Sequence, residues 1–271
     1  MNPSEYLVVV RGGGDLATGV IWTLVHAGFP VVSLECAQPS AIRRTVAFSE
    51  AVYEGTAVVE GLTCTRVGNA KEAKRLLSAG GLPMLVDPQM ETLPALQPAV
   101  LVDAVIAKRN LGTKRGLAPC VIALGPGFTA GVDCDAVVET MRGHNLGRIL
   151  REGSAMPNTG IPGVIRGFGA ERVIHADRAG KLTGCAVIGD FVEKGQKIAE
   201  IHGADGSCTA VAATMDGLLR GLIRDDYPVV PGFKIADIDP RREERANCFT
   251  ISDKARALGG AVLLAIMEEN V

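Results

Sequence analysis

Short unbroken apolar runs alternate with helically spaced ones through the first half of the chain. Tyr6 to Val10 is apolar and β-branched and ends in a glycine cluster, the pattern of a buried strand feeding a turn. From Asp15 to Ala27 the spacing turns helical, with Leu16, Val20 and Leu24 on one face, and Gly28 closes the segment. Pro30 to Glu35 predicts a second strand. Strand, glycine turn, helix, strand is a βαβ unit, expected to have parallel strands and a right-handed crossover. Further strands are predicted at Ala57–Val59, Thr63–Val67, Met84–Asp87, Val100–Ala107 and Cys120–Leu124. Such runs suit parallel strands buried on both faces. Asn69 is placed to cap a helix from Ala70 to Ala79, stopped by Gly80-Gly81.

The second half has a different rhythm. Residues 180–201 resemble residues 217–238: Gly180, Leu182 and Gly184 match Gly217, Leu219 and Gly221, and Val192, Gly195, Lys197, Ile198 and Ile201 match Val229, Gly232, Lys234, Ile235 and Ile238. Each copy reads as strand, glycine turn, strand, the signature of a small all-β module whose halves share a core. Val137 to Leu150 predicts a hairpin, and Gly153 to Gly163 a linker. Ser252 caps a final amphipathic helix, Lys254 to Glu269, with Leu258, Val262, Leu263 and Ile266 apolar.

The first glycine turn carries the candidate chemistry. Gly12, Gly14 and Ala17 fit G-x-G-x-x-A, in which the glycines permit a tight turn and close approach of a pyrophosphate. The following helix start, through Asp15 and Leu16, offers N–H groups to phosphate, with Gly13 between the two motif glycines. Glu35 lies about 20 residues on, where an acid holds a ribose hydroxyl. The alternative is a tight βα turn without ligand, and the Asp15 carboxylate, which repels phosphate unless it caps the helix, favours it. A second glycine loop, Gly125, Pro126, Gly127, Phe128 and Thr129, follows another strand, where α/β sheets collect ligands. Asp103, Lys108, Arg109 and Asn110 are expected near the same crevice, and Arg43-Arg44 stand where an extra nucleotide phosphate would sit or begin an exposed helix.

Composition narrows the classes. A net charge of -2 lacks the basic footprint of nucleic-acid binding. No apolar run reaches transmembrane length, and the N-terminus lacks a signal-peptide pattern, so a cytoplasmic location is expected. Aromatics make up only 4% of the chain, so aliphatic side chains must fill the core. The seven cysteines include no Cys-x-x-Cys and the four histidines stand well apart, so no metal site is expected. Cys36, at the mouth of the proposed crevice, is a weak candidate nucleophile, against the plainer role of a small buried residue.

Three family resemblances follow from these residues. Gly189-Asp190-x-Val192-x-Lys194-Gly195-Gln196 resembles the biotinyl/lipoyl barrel-sandwich family, but His202 to Met215, where the carrier lysine would stand, contains no lysine. No covalent biotin or lipoate is therefore expected. Over residues 6–266, the segments Arg11 to Gly19, Ala41 to Arg44, Phe48 to Ala51, Asp103 to Asn110, Leu124 to Gly131, Glu139 to His144 and Ala236 to Arg241 resemble the selenium-dependent molybdenum hydroxylase system proteins of the YqeB type. The Rossmann region alone is distantly similar to xanthine dehydrogenase accessory proteins, which have His where Asp15 stands.

The expected fold is α/β. A Rossmann-like parallel-sheet nucleotide-binding domain spans 1–155, a small barrel-sandwich-like all-β domain with the internal repeat spans 156–245, and a C-terminal helix within 250–271 packs on the first domain. The YqeB-type resemblance implies a maturation factor that binds a nucleotide or molybdopterin cytosine dinucleotide for selenium insertion or delivery. Its partners would be a molybdenum hydroxylase client and selenium-transfer proteins, with homo-oligomers left open, and neither nucleic acid nor membrane. An NAD(P)-dependent oxidoreductase and a non-catalytic scaffold for a client hydroxylase are the alternatives, and whether the chain turns over a substrate stays open.

Overall fold

Valine-rich runs build the centre of the larger unit in this computed structural model, which describes residues 2–160 and 163–269. The strands are β1 (Val8–Arg11), β2 (Val31–Glu35), β3 (Thr56–Val59), β4 (Leu62–Arg66), β5 (Leu82–Val86), β6 (Val100–Asp103), β7 (Cys120–Leu124), β8 (Thr129–Ala130), β9 (Ala136–Val138), β10 (Ile149–Leu150) and β11 (Gly153–Ser154). Nine of them form one sheet in the order β10-β9-β7-β6-β1-β2-β5-β4-β3, with β8 and β11 paired separately. Strands from β9 across to β4 run parallel, and the two edge pairs, β9–β10 and β3–β4, are antiparallel.

The helices are few. They are α1 (Asp15–His26), α2 (Ala51–Glu54), α3 (Ala70–Ser78), α4 (Leu93–Leu96) and α5 (Asp253–Glu268). Asn69 caps α3 by accepting from Glu72 N at 3.0 Å, and Ser252 caps α5 by accepting from Ala255 N at 3.2 Å. Along β1 the pleat sends Val9 to a core shared with Leu34, Leu101, Val121 and Phe128, and sends Val8 and Val10 to the opposite face. Helices α1 and α5 lie together, with Gly19 close enough that a Cβ there would come within 2.6 Å of the Ala255 carbonyl oxygen. Gly259 likewise faces the Gly19 carbonyl, so successive turns of the two helices match in the same direction and both N-termini sit at one end.

The second unit comprises Ser40–Val46 and Gly160–Thr250 by compactness, while the first takes Met1–Pro39, Ala47–Thr159 and Ile251–Val271. Residues 161 and 162 of the expected linker lie outside the described residues, as do 270 and 271 at the end of the chain. Its strands are β12 (Val173–His175), β13 (Gly180–Gly184), β14 (Phe191–Val192), β15 (Lys197–His202), β16 (Cys208–Ala212), β17 (Gly217–Leu222), β18 (Pro228–Val229) and β19 (Lys234–Asp239). They make two four-stranded antiparallel sheets, β12-β19-β17-β14 and β16-β15-β13-β18. The repeat copies exchange strands: β14 of the first pairs with β17 of the second, and β18 of the second pairs with β13 of the first. Equivalent residues Leu182 and Leu219, Ile198 and Ile235, and Ile201 and Ile238 are all fully buried in one core.

This architecture corrects the expected Rossmann-like domain followed by a barrel-sandwich. The protein is a mixed α/β structure with large sheets and few helices. The apolar runs that read as a purely parallel, helix-covered sheet include antiparallel edge strands. The links from β6 to β7 and from β7 to β9 contain no α-helix, and α2 and α4 are single turns. Strand β6 also stops at Asp103 rather than running to Ala107, because Asp103 turns inward to a buried arginine while Val105 is exposed.

Candidate functional site

Parallel strands deliver their C-terminal ends to one edge, and there the chain places its glycine loops and the starts of α1 and α5. Gly12, at φ +111°, sits against the β6 exit, where a Cβ would lie 3.0 Å from Ala104 O. Gly127, at φ +106°, lies over the backbone of Arg109, 2.6 Å from its Cα by the same measure. Gly125 abuts the Thr140 side chain. The two loops thus reach the same edge as the 105–110 segment, in which Lys108 and Arg109 are exposed.

Several predicted ligand groups are already engaged by the protein. Gly13 N donates to Glu35 Oε2 at 2.8 Å, and Cys36 N donates to the other carboxylate oxygen at 2.8 Å. Gly13 O in turn accepts from Ser49 N at 2.8 Å and from the Thr18 hydroxyl at 3.2 Å. Glu35 therefore straps the glycine loop to β2 and occupies the amide expected to meet a phosphate. Asp103 is not a crevice charge either. It is buried and pairs with the buried Arg11 at 3.1 Å, while accepting from the Thr113 hydroxyl at 2.6 Å. Arg11 also donates to Pro88 O and Leu111 O, so the cluster seals the floor beneath the loops.

In the second glycine loop, Thr129 donates its N–H to Asp133 at 2.7 Å and shares a hydrogen bond with Ser154 Oγ, while Phe128 is in the core. Asn110 accepts from Gly112 N and Thr113 N and shapes its own turn. Arg43 belongs to the second unit, where it is buried and donates to Asn247 O and Thr250 O. Arg44 donates to Leu222 O there. Main-chain carbonyls, not a nucleotide phosphate, are thus the recorded acceptors of both arginines.

Cys36 is half-buried, and burial and the Glu35 carboxylate push its thiol up to about 11. Burial and the neighbouring carboxylate thus favour the neutral thiol over the thiolate that a nucleophile uses.

What remains open is the start of α1. A Cβ on Gly14 would meet nothing within 4 Å, and the first-turn N–H groups of a helix have no intrahelical acceptors. Beside it stands Lys254, in the first turn of α5. Burial and the Arg142 charge lower its amine below the ordinary 10.5, while Asp15, Glu139 and Asp253 oppose that shift. Glu139 is buried at the end of β9, accepting from Met141 N at 2.7 Å and Met156 N at 2.8 Å. Arg142 forms an exposed pair with Asp253 at 3.0 Å. The result is a partly buried cation among carboxylates, next to two helix starts. Sequence reasoning passed over Lys254, although a lysine in a helix's first turn opposes the dipole preference, and that misfit was the available signal.

No family model matches the chain. Over 267 residues it is 49% identical to the uncharacterized protein YqeB of Escherichia coli strain K12, a match covering 98% of this chain and 48% of that protein. The chain spans about half the length of that relative, and the name of YqeB states no activity. Among solved structures, the product-bound ectoine utilization protein EutE (DoeB) of Ruegeria pomeroyi is similar at 12% identity, 86% of this chain, 57% of that one and TM-score 0.24. A succinylglutamate desuccinylase of Silicibacter sp. TM1040 is similar at 12% identity, 86% and 84% coverage and TM-score 0.28. Likenesses at these TM-scores carry no argument about the chemistry of this chain.

Proposed function

We propose that the chain is an accessory factor in the maturation of selenium-dependent molybdenum hydroxylases and binds a nucleotide or molybdopterin dinucleotide by its phosphates. The observation that carries the reading is Lys254, half-buried beside the open Gly14 corner where α1 and α5 begin. An anion in this place gains from the helix starts and from the desolvated Lys254 ammonium, against the repulsion of Asp15, Glu139 and Asp253. The YqeB-type resemblance supplies the biological setting. Glu35 strapping Gly13 moves the phosphate seat forward by a residue, to Gly14 and the first turn of α1.

Calorimetry of the whole protein against molybdopterin cytosine dinucleotide, NAD and cytidine nucleotides tests this. Binding of the molybdopterin dinucleotide is expected, weakened about tenfold or more in Lys254→Met through loss of a charge-assisted contact. Absence of heat with every one of these ligands ends the reading. Restoration of hydroxylase activity in cells lacking the gene tests the maturation step itself.

A further inference from the structure

The linear sequence offers no metal motif, but the second unit folds three donors together. Glu200 and His202 are two residues apart on β15 and share a face. His202 pairs directly across from Cys208 of β16. One ligand atom from each of Glu200, His202 and Cys208 lies within 4.8 Å of the others, and Glu200 Oε2 is 3.7 Å from His202 Nε2. Ile198 and Ile201 of the same strand are buried in the core, whereas His202 and Cys208 are exposed and Glu200 is half-exposed.

The turn between the strands fixes this register. Gly203 N donates to Ser207 O at 2.8 Å, and Asp205 accepts from Ser207 N at 3.0 Å and from its hydroxyl. The Asp205 carboxylate and Ser207 hydroxyl close over Gly203, in the turn that sets Cys208 opposite His202.

We propose that Glu200, His202 and Cys208 form a binding site for a zinc-class divalent ion, with a fourth position left to water or an incoming ligand. A thiolate, an imidazole and a carboxylate together favour borderline-soft ions over magnesium or calcium. Three protein ligands with an open position is the make-up of accessible zinc sites, whereas structural sites are closed by four. Tetrahedral zinc sets its donors about 3.3–3.7 Å apart, from metal–ligand distances of about 2.0–2.3 Å. The three groups therefore need only close by about an ångström, a rotamer adjustment open to exposed side chains.

Lys197 Nζ donates to Glu200 Oε1 at 2.7 Å, a contact that an incoming cation would have to displace while Glu200 Oε2 faces His202. A divalent ion would relieve the thiolate–carboxylate repulsion and release the thiol proton to water.

The test is a cobalt titration of the full chain after chelator treatment and dialysis. The expected result is a near-ultraviolet thiolate-to-cobalt charge-transfer band that saturates at one equivalent and is bleached by zinc. Cys208→Ser should abolish the band. His202→Ala should weaken affinity by more than about tenfold, since loss of a mere supporting hydrogen bond in metal sites costs roughly 10–100-fold. Cys185→Ser, which removes the other exposed thiol, should leave the band in place. Circular dichroism of each variant separates loss of the site from loss of the fold. No charge-transfer band, or one that persists in folded Cys208→Ser, overturns the proposal.

Discussion

The β1–α1 corner of the first unit and the β15–β16 hairpin of the second both set polar side chains around a glycine turn, yet they treat those groups in opposite ways. At the corner, Glu35, Asp103 and Arg11 are bound by the protein itself, and Arg11 and Asp103 are buried. On the hairpin, Glu200, His202 and Cys208 converge on an outward face. Burial makes the difference. A polar group out of water must find a partner in the fold or cost several kcal/mol, whereas an exposed one keeps water as its alternative and remains exchangeable. A motif that looks like a ligand cradle in sequence can therefore be consumed as structure, while scattered donors on a solvent face stay available.

The sharpest way to break this contrast is at the corner's floor. Asp103→Ala leaves the Arg11 guanidinium buried without its carboxylate and should lower stability by about 3–5 kcal/mol in urea unfolding. A loss below about 1 kcal/mol, the range of exposed pairs, would mean that the corner is solvated and the contrast false. Glu35→Gln comes next. It removes the charge from two main-chain hydrogen bonds and should cost about 1.5–3 kcal/mol. If Glu35 instead served a ribose, the variant would keep its stability and lose only nucleotide affinity. Gly19→Ala, which forces a methyl group against the Ala255 carbonyl, should cost about 1–3 kcal/mol in the same assay and tests whether α1 and α5 must touch.

The hairpin should respond far less. His202→Ala should change stability by no more than about 0.5 kcal/mol in metal-free buffer, as exposed substitutions do. The pH dependence at Lys254 is subtler still. Its folded-state amine is lowered by burial and Arg142, so the charged form is penalised in the fold at low and neutral pH. That penalty fades as pH rises from the lowered value towards the ordinary 10.5, where the unfolded chain's amine also loses its proton. Urea midpoints of the wild type should therefore climb relative to Lys254→Met over that window, while its affinity for an anionic ligand falls.

Much of the local structure was legible in the chain. The strand at Val8–Arg11, the helix from Asp15, the caps at Asn69 and Ser252 and the turn glycines follow from periodicity and backbone chemistry, which act over a few residues. Fold class was misread because a short strand such as Leu62–Arg66 carries no mark of whether its neighbour runs parallel or antiparallel. Arg43 was misplaced for a similar reason. Sequence nearness to the second strand said nothing of the carbonyls of Asn247 and Thr250 that hold it.

The order of residues alone determined roughly where most strands, helices and turns lie, and that two stretches of the second half repeat, because those choices are made largely by neighbours along the backbone. Only the folded chain decided that Glu35 answers Gly13, that Lys254 is drawn in beside Asp15 and Glu139, and that Cys208 faces His202. These pairings depend on strand register and on which polar groups lose their water, quantities that exist only once distant segments have packed.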